Sequence, residues 1–598
     1  MQSVLRGIPA SPGIVVGPVH LLRWEVPEVK HRLIQDDAVD AEISRLHQGL
    51  ERARERLRHV RARTEVQAGP KEAAIFDVQL SILDDGELSR STEALIRQNL
   101  GAEKAFDLVL LEWRQHFARH TSPMLREKVG DLTDVHIRVL SILLELPDHD
   151  PVDVPLGANA ILVTHDLTPS LTMQLDRACI AAIATEAGTA TAHVAILARS
   201  LGLPAVVGLR NALAFLTPGQ VAILDGADGT LMIAPSEHEI EEARHRVEIE
   251  AGRVGELREL AHSEAITRDG VRIVIRANVD IPDEAELGAD SGADGVGLMR
   301  TEFLVVGRAA MPDEEEQYQA YRKVLQAFGG RPVIIRTFDV GGDKLPVGGF
   351  PAEANPFLGW RAIRMCLDES ELFKVQLRAL LRAGVHGDLR IMLPLVVTVD
   401  EVRETRQLIG EAVEELSERR VPFRDDIPLG VMVETPAAAI ACDTLVRDVD
   451  FFSIGSNDLV QYTLAVDRGN ANLAPRFTQF HPAVLRLISQ VQATGAAHGI
   501  DVCVCGEMGS QPLAVFALMG LGIRQLSVAP RSVGEVKRII RGVRMAAATD
   551  AATAALAAST AREVETLLRR RLRAELDASA SASASASAAR AGGLPALP

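Results

Sequence analysis

Apolar residues at Ile43, Leu46, Leu50, Ala53, Leu57 and Val60 alternate spacings of three and four, the seam of an amphipathic helix in an antiparallel hairpin. The same period returns at Ile75, Val78 and Ile82, at Phe106, Val109, Trp113 and Phe117, and from Leu132 to Leu144, which predicts a helical module. On either side of it the pattern shortens. Residues 1–22 are β-branched runs punctuated by Gly and Pro, and brief apolar runs recur at Ala160–Val163, Cys179–Ala184, Ala205–Val207 and Val221–Leu224. The opening strands are therefore expected to join those of residues 150–230, with the helical module inserted between them.

Residues 238–262 are charged and helical, broken only by Gly252 and Gly255, and read as a solvated linker helix. Beyond Val271 strand and helix patterns alternate. Eight strands are predicted, at Val271–Ala277, Gly295–Met299, Pro332–Thr337, Leu389–Leu395, Gly430–Val433, Val449–Ile454, Val502–Val504 and Gln525–Ala529. Helices are expected between them, among them Glu314–Phe328, Glu371–Ala383, Val402–Leu416 and Pro482–His498. Eight such units over about 300 residues are the size of a (β/α)8 barrel. A doubly wound open sheet is the alternative, but no GxGxxG opens it. The Ala-rich stretch 545–575 reads as a terminal helix on the barrel, and the Ala/Ser repeat after Asp577 as disordered.

Composition narrows the function. With 598 residues, two to four domains are expected. The balance of 81 acidic against 64 basic residues, a net charge of −17, argues against a nucleic-acid partner and suits a basic protein partner. Five scattered cysteines suggest reduced thiols. No leader and no membrane-length apolar run is evident, so a cytoplasmic location and no membrane partner are expected.

A barrel places its chemistry at or just after the strand ends. There stand Asn278 after the first, Arg300 after the second, Arg336 and Asp339 at the third, Glu434 after the fifth, Asn457 and Asp458 after the sixth, and Cys505 and Glu507 after the seventh. Glu434 and Asp458 are hard oxygen ligands suited to Mg²⁺. Arg300 and Arg336, with Arg361 and Arg468, offer planar forks for a phosphate and a carboxylate. The inferred substrate is small, polyanionic and metal-bound. Cys505 is either inert packing or a thiol that exchanges a proton with carbon.

In the first half, TEAGTATAHVAILARSLGLPAVVG carries His193. Gly188 and the small residues after it form a permissive turn, and Val194, Ile196 and Leu197 begin a short helix ended by Gly202 and Pro204. His193 thus sits near a helix N-terminus, where an anion is favoured. Taken alone, a capping or buried histidine is the plainer reading, and no metal-ligand spacing surrounds it.

The segments GVGLMRTEFL, IIRTFDVGGDK, NPFLGWRAIRM, GVMVETPAAA, FFSIGSNDLVQYTLAVDRGN and VCGEM resemble the phosphoenolpyruvate-binding barrel of enzyme I of the bacterial sugar phosphotransferase system. HDLTPS with the His193 stretch resembles its phosphohistidine domain, and IFDVQLSILDD its helical insert; the similarity runs from about Gly7 to about Val543. The resemblance implies a multidomain α/β chain. Its parts are a swivelling phosphohistidine domain (1–25 and 148–232), an inserted helical subdomain that binds the carrier HPr (26–147), a linker helix (233–262), a phosphoenolpyruvate-binding and dimerising (β/α)8 barrel (263–575) and a disordered tail (576–598). It further implies that His193 takes the phosphoryl group from phosphoenolpyruvate and passes it to HPr. Arg300, Arg336, Asn457, Asp458 and Arg468 would bind substrate, Glu434 and Asp458 would hold Mg²⁺, and Cys505 would protonate the enolate.

Departures from the family pattern stand out. Thr189-Ala190-Thr191-Ala192 precedes the histidine in place of an arginine and a Thr-Ser pair, Ala354 replaces a glutamate, and Gly509-Ser510-Gln511 follows the CGEM motif. His165 and Cys503 are additional candidate reactive groups near the two sites, each read as a structural variation before a second catalytic residue. The nitrogen-regulatory paralogue and a catalytically silent binding protein are the other readings. Pyruvate phosphate dikinase and phosphoenolpyruvate synthase need an ATP-binding domain, for which there is no room before His193.

Overall fold

The computed structural model describes residues 3–22, 24–68, 73, 75–119, 123–146, 159–167, 179–187, 194, 198, 202–305, 310–341, 353, 355–468, 470, 473 and 476–591. The chain divides into two units, Met1–Gly252 and Arg253–Pro598.

In the first unit, β1 (Ser3–Arg6), β2 (Ile8–Ser11), β3 (Ile14–Leu22), β4 (Ala160–Thr164), β5 (Ile180–Thr185), β6 (Ala205–Val207), β7 (Val221–Asp225) and β8 (Thr230–Ile233) form one sheet in the order β1-β8-β7-β3-β4-β5-β6-β2. Strand β3 pairs parallel with β4 and antiparallel with β7, so the opening strands do complete the sheet of residues 159–233. Helices Val39–Ala68, Ile75–Leu83, Gly86–Ile96, Ala102–Ala118 and Pro123–Leu143 lie between β3 and β4 in the chain and enclose their own core. The predicted seam is its spine: Leu46, Leu50, Ala53, Leu57 and Val60 are all buried. Arg32 and Arg45 both reach Glu103, each at 2.7 Å, and tie the entry of the module to its fourth helix.

Helix Glu237–Ala261 passes through Gly252 and Gly255 without a break, contrary to the expected interruptions. A lone glycine costs a helix only about 1 kcal/mol, which the neighbouring Glu, Arg and Leu residues offset.

In the second unit eight parallel strands close a barrel: β9 (Val274–Val279), β10 (Val296–Met299), β11 (Val333–Arg336), β12 (Leu389–Leu393), β13 (Leu429–Val433), β14 (Phe451–Ile454), β15 (Asp501–Val504) and β16 (Gln525–Val528). The open sheet is excluded, because β16 pairs with β9. Strand β9 starts three residues later than predicted, so Asn278 lies inside it and accepts a hydrogen bond from Ser527 Oγ at 2.6 Å. Val271 instead belongs to a turn closed by Thr267. Outward-facing Val, Ile and Leu side chains pack under the helices in one large core, while Leu298, Ile334, Met392, Met432, Phe451 and Cys505 form a smaller apolar cluster of their own.

The terminal stretch is two helices, Met545–Ala557 and Ala561–Ala591. The break was legible as Thr560-Ala-Arg-Glu563, where each side chain caps the other's end of the turn. Residues 577–591, expected to be disordered, continue the last helix instead. Alanine has the highest helix propensity, and a helix already nucleated by the packed residues Val564, Leu568 and Leu572 propagates into such a repeat.

Candidate active site

The strand-to-helix turns decide where the polar side chains stand. After β13, Thr435 accepts from Ala438 N at 3.1 Å and Pro436 starts a helix at once, which leaves Glu434 at the barrel rim. After β14, Gly455 gives way to helix Ser456–Leu464, whose first turn carries Asn457 and Asp458. A Cβ on Gly455 would lie 2.8 Å from Glu434 Oε2, so the close approach of backbone to carboxylate requires glycine here. Thr301 Oγ1 donates to the Arg336 carbonyl at 3.0 Å and ties the ends of β10 and β11 together.

Arg300, Arg336, Glu434, Asn457, Asp458, Arg468 and Cys505 all line one cavity of about 280 Å³, with Glu302, Asp339, Phe357 and Arg361. Four guanidiniums therefore face four carboxylates. Arg336, buried, pairs with Glu302 and, at 3.0 Å, with Asp339. Asp339 also takes two bonds from Arg361, at 2.5 and 3.1 Å. Burial by itself would lower Arg336, but Glu302, Asp339, Glu434 and Asp458 outweigh it and hold the guanidinium charged. Arg361 is held charged in the same way, Asp339 outweighing its burial. Arg300, more exposed, pairs with Asp280 at 3.1 Å, and Arg468 with Asp458 at 3.3 Å. Asn457 exchanges bonds with Glu507, donating to its Oε1 at 3.4 Å and accepting from its backbone at 3.2 Å. Tyr462 OH donates to the Phe357 carbonyl at 2.5 Å and holds the Pro356–Leu358 turn at the rim.

Glu434 is strongly perturbed. Burial, then Asp458 and Asp339, push its carboxyl well above the usual range, with only Arg336 and the Leu395 N–H pulling it down. Asp458 Oδ1 is buried, and the 3.3 Å ion pair with Arg468 Nη1 reaches it without hydrogen-bond geometry. A buried carboxylate whose proton affinity is raised by burial and by the second buried carboxylate beside it fits a divalent cation. Burial also lifts the Cys505 thiol, to about 11, so it carries its proton at neutral pH.

His193 and the residues Thr189–Ala192 before it lie outside the described residues, as does Ala354. Adjacent to His193, Val194 is helical and buried, as is Ala198 one turn on. Of the two additional candidates, His165 Nδ1 sits 3.0 Å from Glu186 Oε2 in the first unit, and Cys503 is buried in β15. Sequence reasoning missed Glu302 and Tyr462. Glu302 stands two residues past Arg300 in the same motif, which was the available signal.

The chain matches three domain families of phosphoenolpyruvate-utilising enzymes: the N-terminal domain over residues 6–128, the mobile domain over 156–229 and the phosphoenolpyruvate-binding domain over 254–545. It is 38% identical to the phosphoenolpyruvate-protein phosphotransferase of Geobacillus stearothermophilus over 576 residues, 95% of this chain and 98% of that one. The protein of the same name from Staphylococcus aureus is also 38% identical, over 95% of this chain and 99% of its own. A solution structure of an enzyme I protein aligns with 41% of this chain and 99% of its own at 29% identity, with a TM-score of 0.36.

Proposed function

The chain belongs to the phosphoenolpyruvate-protein phosphotransferase family, enzymes of phosphoryl transfer, and from that premise we propose that it phosphorylates itself on His193 and passes the group to an HPr-type carrier. The observation that carries this reading is the convergence of four arginines, three buried carboxylates and a protonated thiol on one small cavity.

Phosphoenolpyruvate brings a phosphate and a carboxylate. Arg336 and Arg361, oriented by Asp339, present paired N–H groups to the transferring phosphoryl oxygens. Arg300, Arg468 and Asn457 line the remainder of the cavity and receive the carboxylate. Glu434 and Asp458 would hold Mg²⁺, which would supply positive charge to offset that of the substrate. A neutral imidazole nitrogen of His193 attacks phosphorus in line, the bridging P–O bond breaks, and the enolate of pyruvate is released. Cys505 gives its thiol proton to the enolate carbon, completing pyruvate, and regains a proton from solvent.

Since His193 and the cavity belong to different units, transfer requires the first unit to move, and residues 233–262 serve as the hinge. The helical module of residues 26–147 is the carrier dock, the barrel forms a homodimer, and the enzyme works in the cytoplasm at the first step of sugar uptake. The test is incubation with Mg²⁺ and phosphoryl-labelled phosphoenolpyruvate, then with sugar-type HPr or a nitrogen-regulatory HPr-like carrier. An acid-labile label on wild type, absent in His193→Ala and chased preferentially to sugar-type HPr, is expected. Label persisting in His193→Ala would sink the mechanism, and preferential chase to the regulatory carrier would reassign the pathway.

A further inference from the structure

Ser453 sits in the middle of β14, paired in register with Met432 on β13 and Cys503 on β15. Side chains two apart on a strand share a face, so Ser453 points the same way as Phe451, which packs with Cys505 inside the barrel. Cys503 and Cys505 are likewise two apart and face inward. Ser453 is fully buried, and its Oγ makes no hydrogen bond of ordinary geometry among the described residues, yet it lies close enough to the Cys503 and Cys505 sulfurs to act on their charge. A buried hydroxyl without a partner is uncommon and calls for an explanation.

The thiol hydrogens supply one. Cys505 Sγ donates to the Ile454 carbonyl at 3.6 Å, and Cys503 Sγ to that of Val504 at 3.7 Å. With both S–H groups directed at backbone oxygens, each sulfur turns its acceptor side to other donors, and Ser453 O–H is a donor between them. A neutral thiol is a weak acceptor and a thiolate a strong one, so the bond from Ser453 gains strength when Cys505 loses its proton.

We propose that Ser453 is a positioning residue for Cys505, its hydroxyl donating to the Cys505 thiolate formed as the enolate carbon takes the proton. This rests on the reading of Cys505 as the proton donor. In the step, the S–H bond of Cys505 breaks and a C–H bond forms on the enolate, and the negative charge passes to sulfur. Ser453 keeps its proton throughout and solvent returns one to Cys505. The remainder of the thiol's surroundings is mixed: Glu434 opposes the negative sulfur, Arg336 and Arg300 favour it, and Cys503 lies one layer below. The Ser453 hydroxyl also favours charge on either sulfur, against the burial that dominates both.

The test reads proton transfer apart from phosphoryl transfer. Full-length protein with Mg²⁺ and pyruvate is placed in D2O, and methyl-proton exchange is followed by NMR, beside the KM for phosphoenolpyruvate in His193 labelling. Ser453→Ala and Ser453→Val are expected to slow exchange about tenfold or more with little change in that KM. Ser453→Thr, which matches Val in shape but keeps the hydroxyl, restores it. In a Cys503→Ala background, the pH profile of Cys505 alkylation moves up by about one unit in Ser453→Ala, a tenfold loss of thiolate. Wild-type exchange in Ser453→Val, or equal loss in Thr and Val, overturns the proposal while a loss in Cys505→Ala leaves the donor reading standing. Unchanged exchange in Cys505→Ala overturns the donor reading and this proposal with it.

Discussion

Arg336 and Asp339 face each other across the end of β11, with Arg336 Nη1 3.0 Å from Asp339 Oδ2. The other oxygen of the same carboxylate holds Arg361. One acid thereby fixes two guanidiniums before any anion arrives, and a fork already oriented loses less rotamer freedom on binding. Asp339→Asn keeps the shape and removes the charge. It should raise the KM for phosphoenolpyruvate and lower kcat/KM about 10- to 100-fold, as steady-state pyruvate release will measure. An unchanged KM would show that the two arginines are not used in binding.

Glu434 supplies a pH signature. Its carboxyl is raised by burial, Asp458 and Asp339, so the folded chain keeps a proton that the unfolded chain releases. That contribution to stability is complete below the ordinary glutamate value and is lost as pH rises through the raised one. Without a cation, the melting temperature of the barrel should fall over that window. Mg²⁺ should restore it and expel a proton on binding, with affinity that rises with pH. Glu434→Gln should flatten the profile and abolish the proton release, read by calorimetry in buffers of different ionisation enthalpy.

Glu103 behaves in the opposite sense. Burial pushes it up, but Arg32 and Arg45 outweigh that and hold it at about 2. Its contribution is present above the ordinary glutamate value and is lost as pH falls towards that lower one. Glu103→Gln should destabilise the helical module by about 1.5–3 kcal/mol at neutral pH, measured by hydrogen exchange along Val39–Ala68, with a smaller difference below pH 3.

Lys537 is buried and donates to the carbonyls of Ala261 and Gly292, each at 2.7 Å. It closes the end of helix Glu237–Ala261 and pins the turn before β10. Lys537→Met retains the stem and leaves both carbonyls without that donor. A loss of about 1–3 kcal/mol is expected, as a lower urea midpoint for the barrel. Phosphorylation of the native protein should persist, since neither carbonyl approaches the cavity.

Much of the barrel was legible because each of its elements has a local signature. Helices Glu314–Phe328 and Pro482–His498 begin and end where their caps and periodicity predicted. Asp313 and His481 each accept a bond from the first turn, and glycines close both C-termini. The start of strand β9 differs because Val271 and Ile273 continue the same apolar pattern through a turn in which Val271 N–H donates to Thr267 Oγ1. The Ala/Ser repeat was misread because low complexity and high helix propensity coincide in alanine.

Chemical identity and order along the chain thus lay in the residues alone. The alternation of strand and helix placed Arg300, Arg336, Glu434, Asn457, Asp458 and Cys505 at strand ends, and their motifs, one of which also holds Arg468, carried the family resemblance. What no linear pattern contains is which charges meet. Barrel closure sets Asp339 between Arg336 and Arg361, buries Glu434 beside Asp458 so that its carboxyl is raised, and leaves the Ser453 hydroxyl between two thiols. Those relations depend on distance and burial, which periodicity along a chain does not encode, and they set the proton affinities on which the chemistry turns.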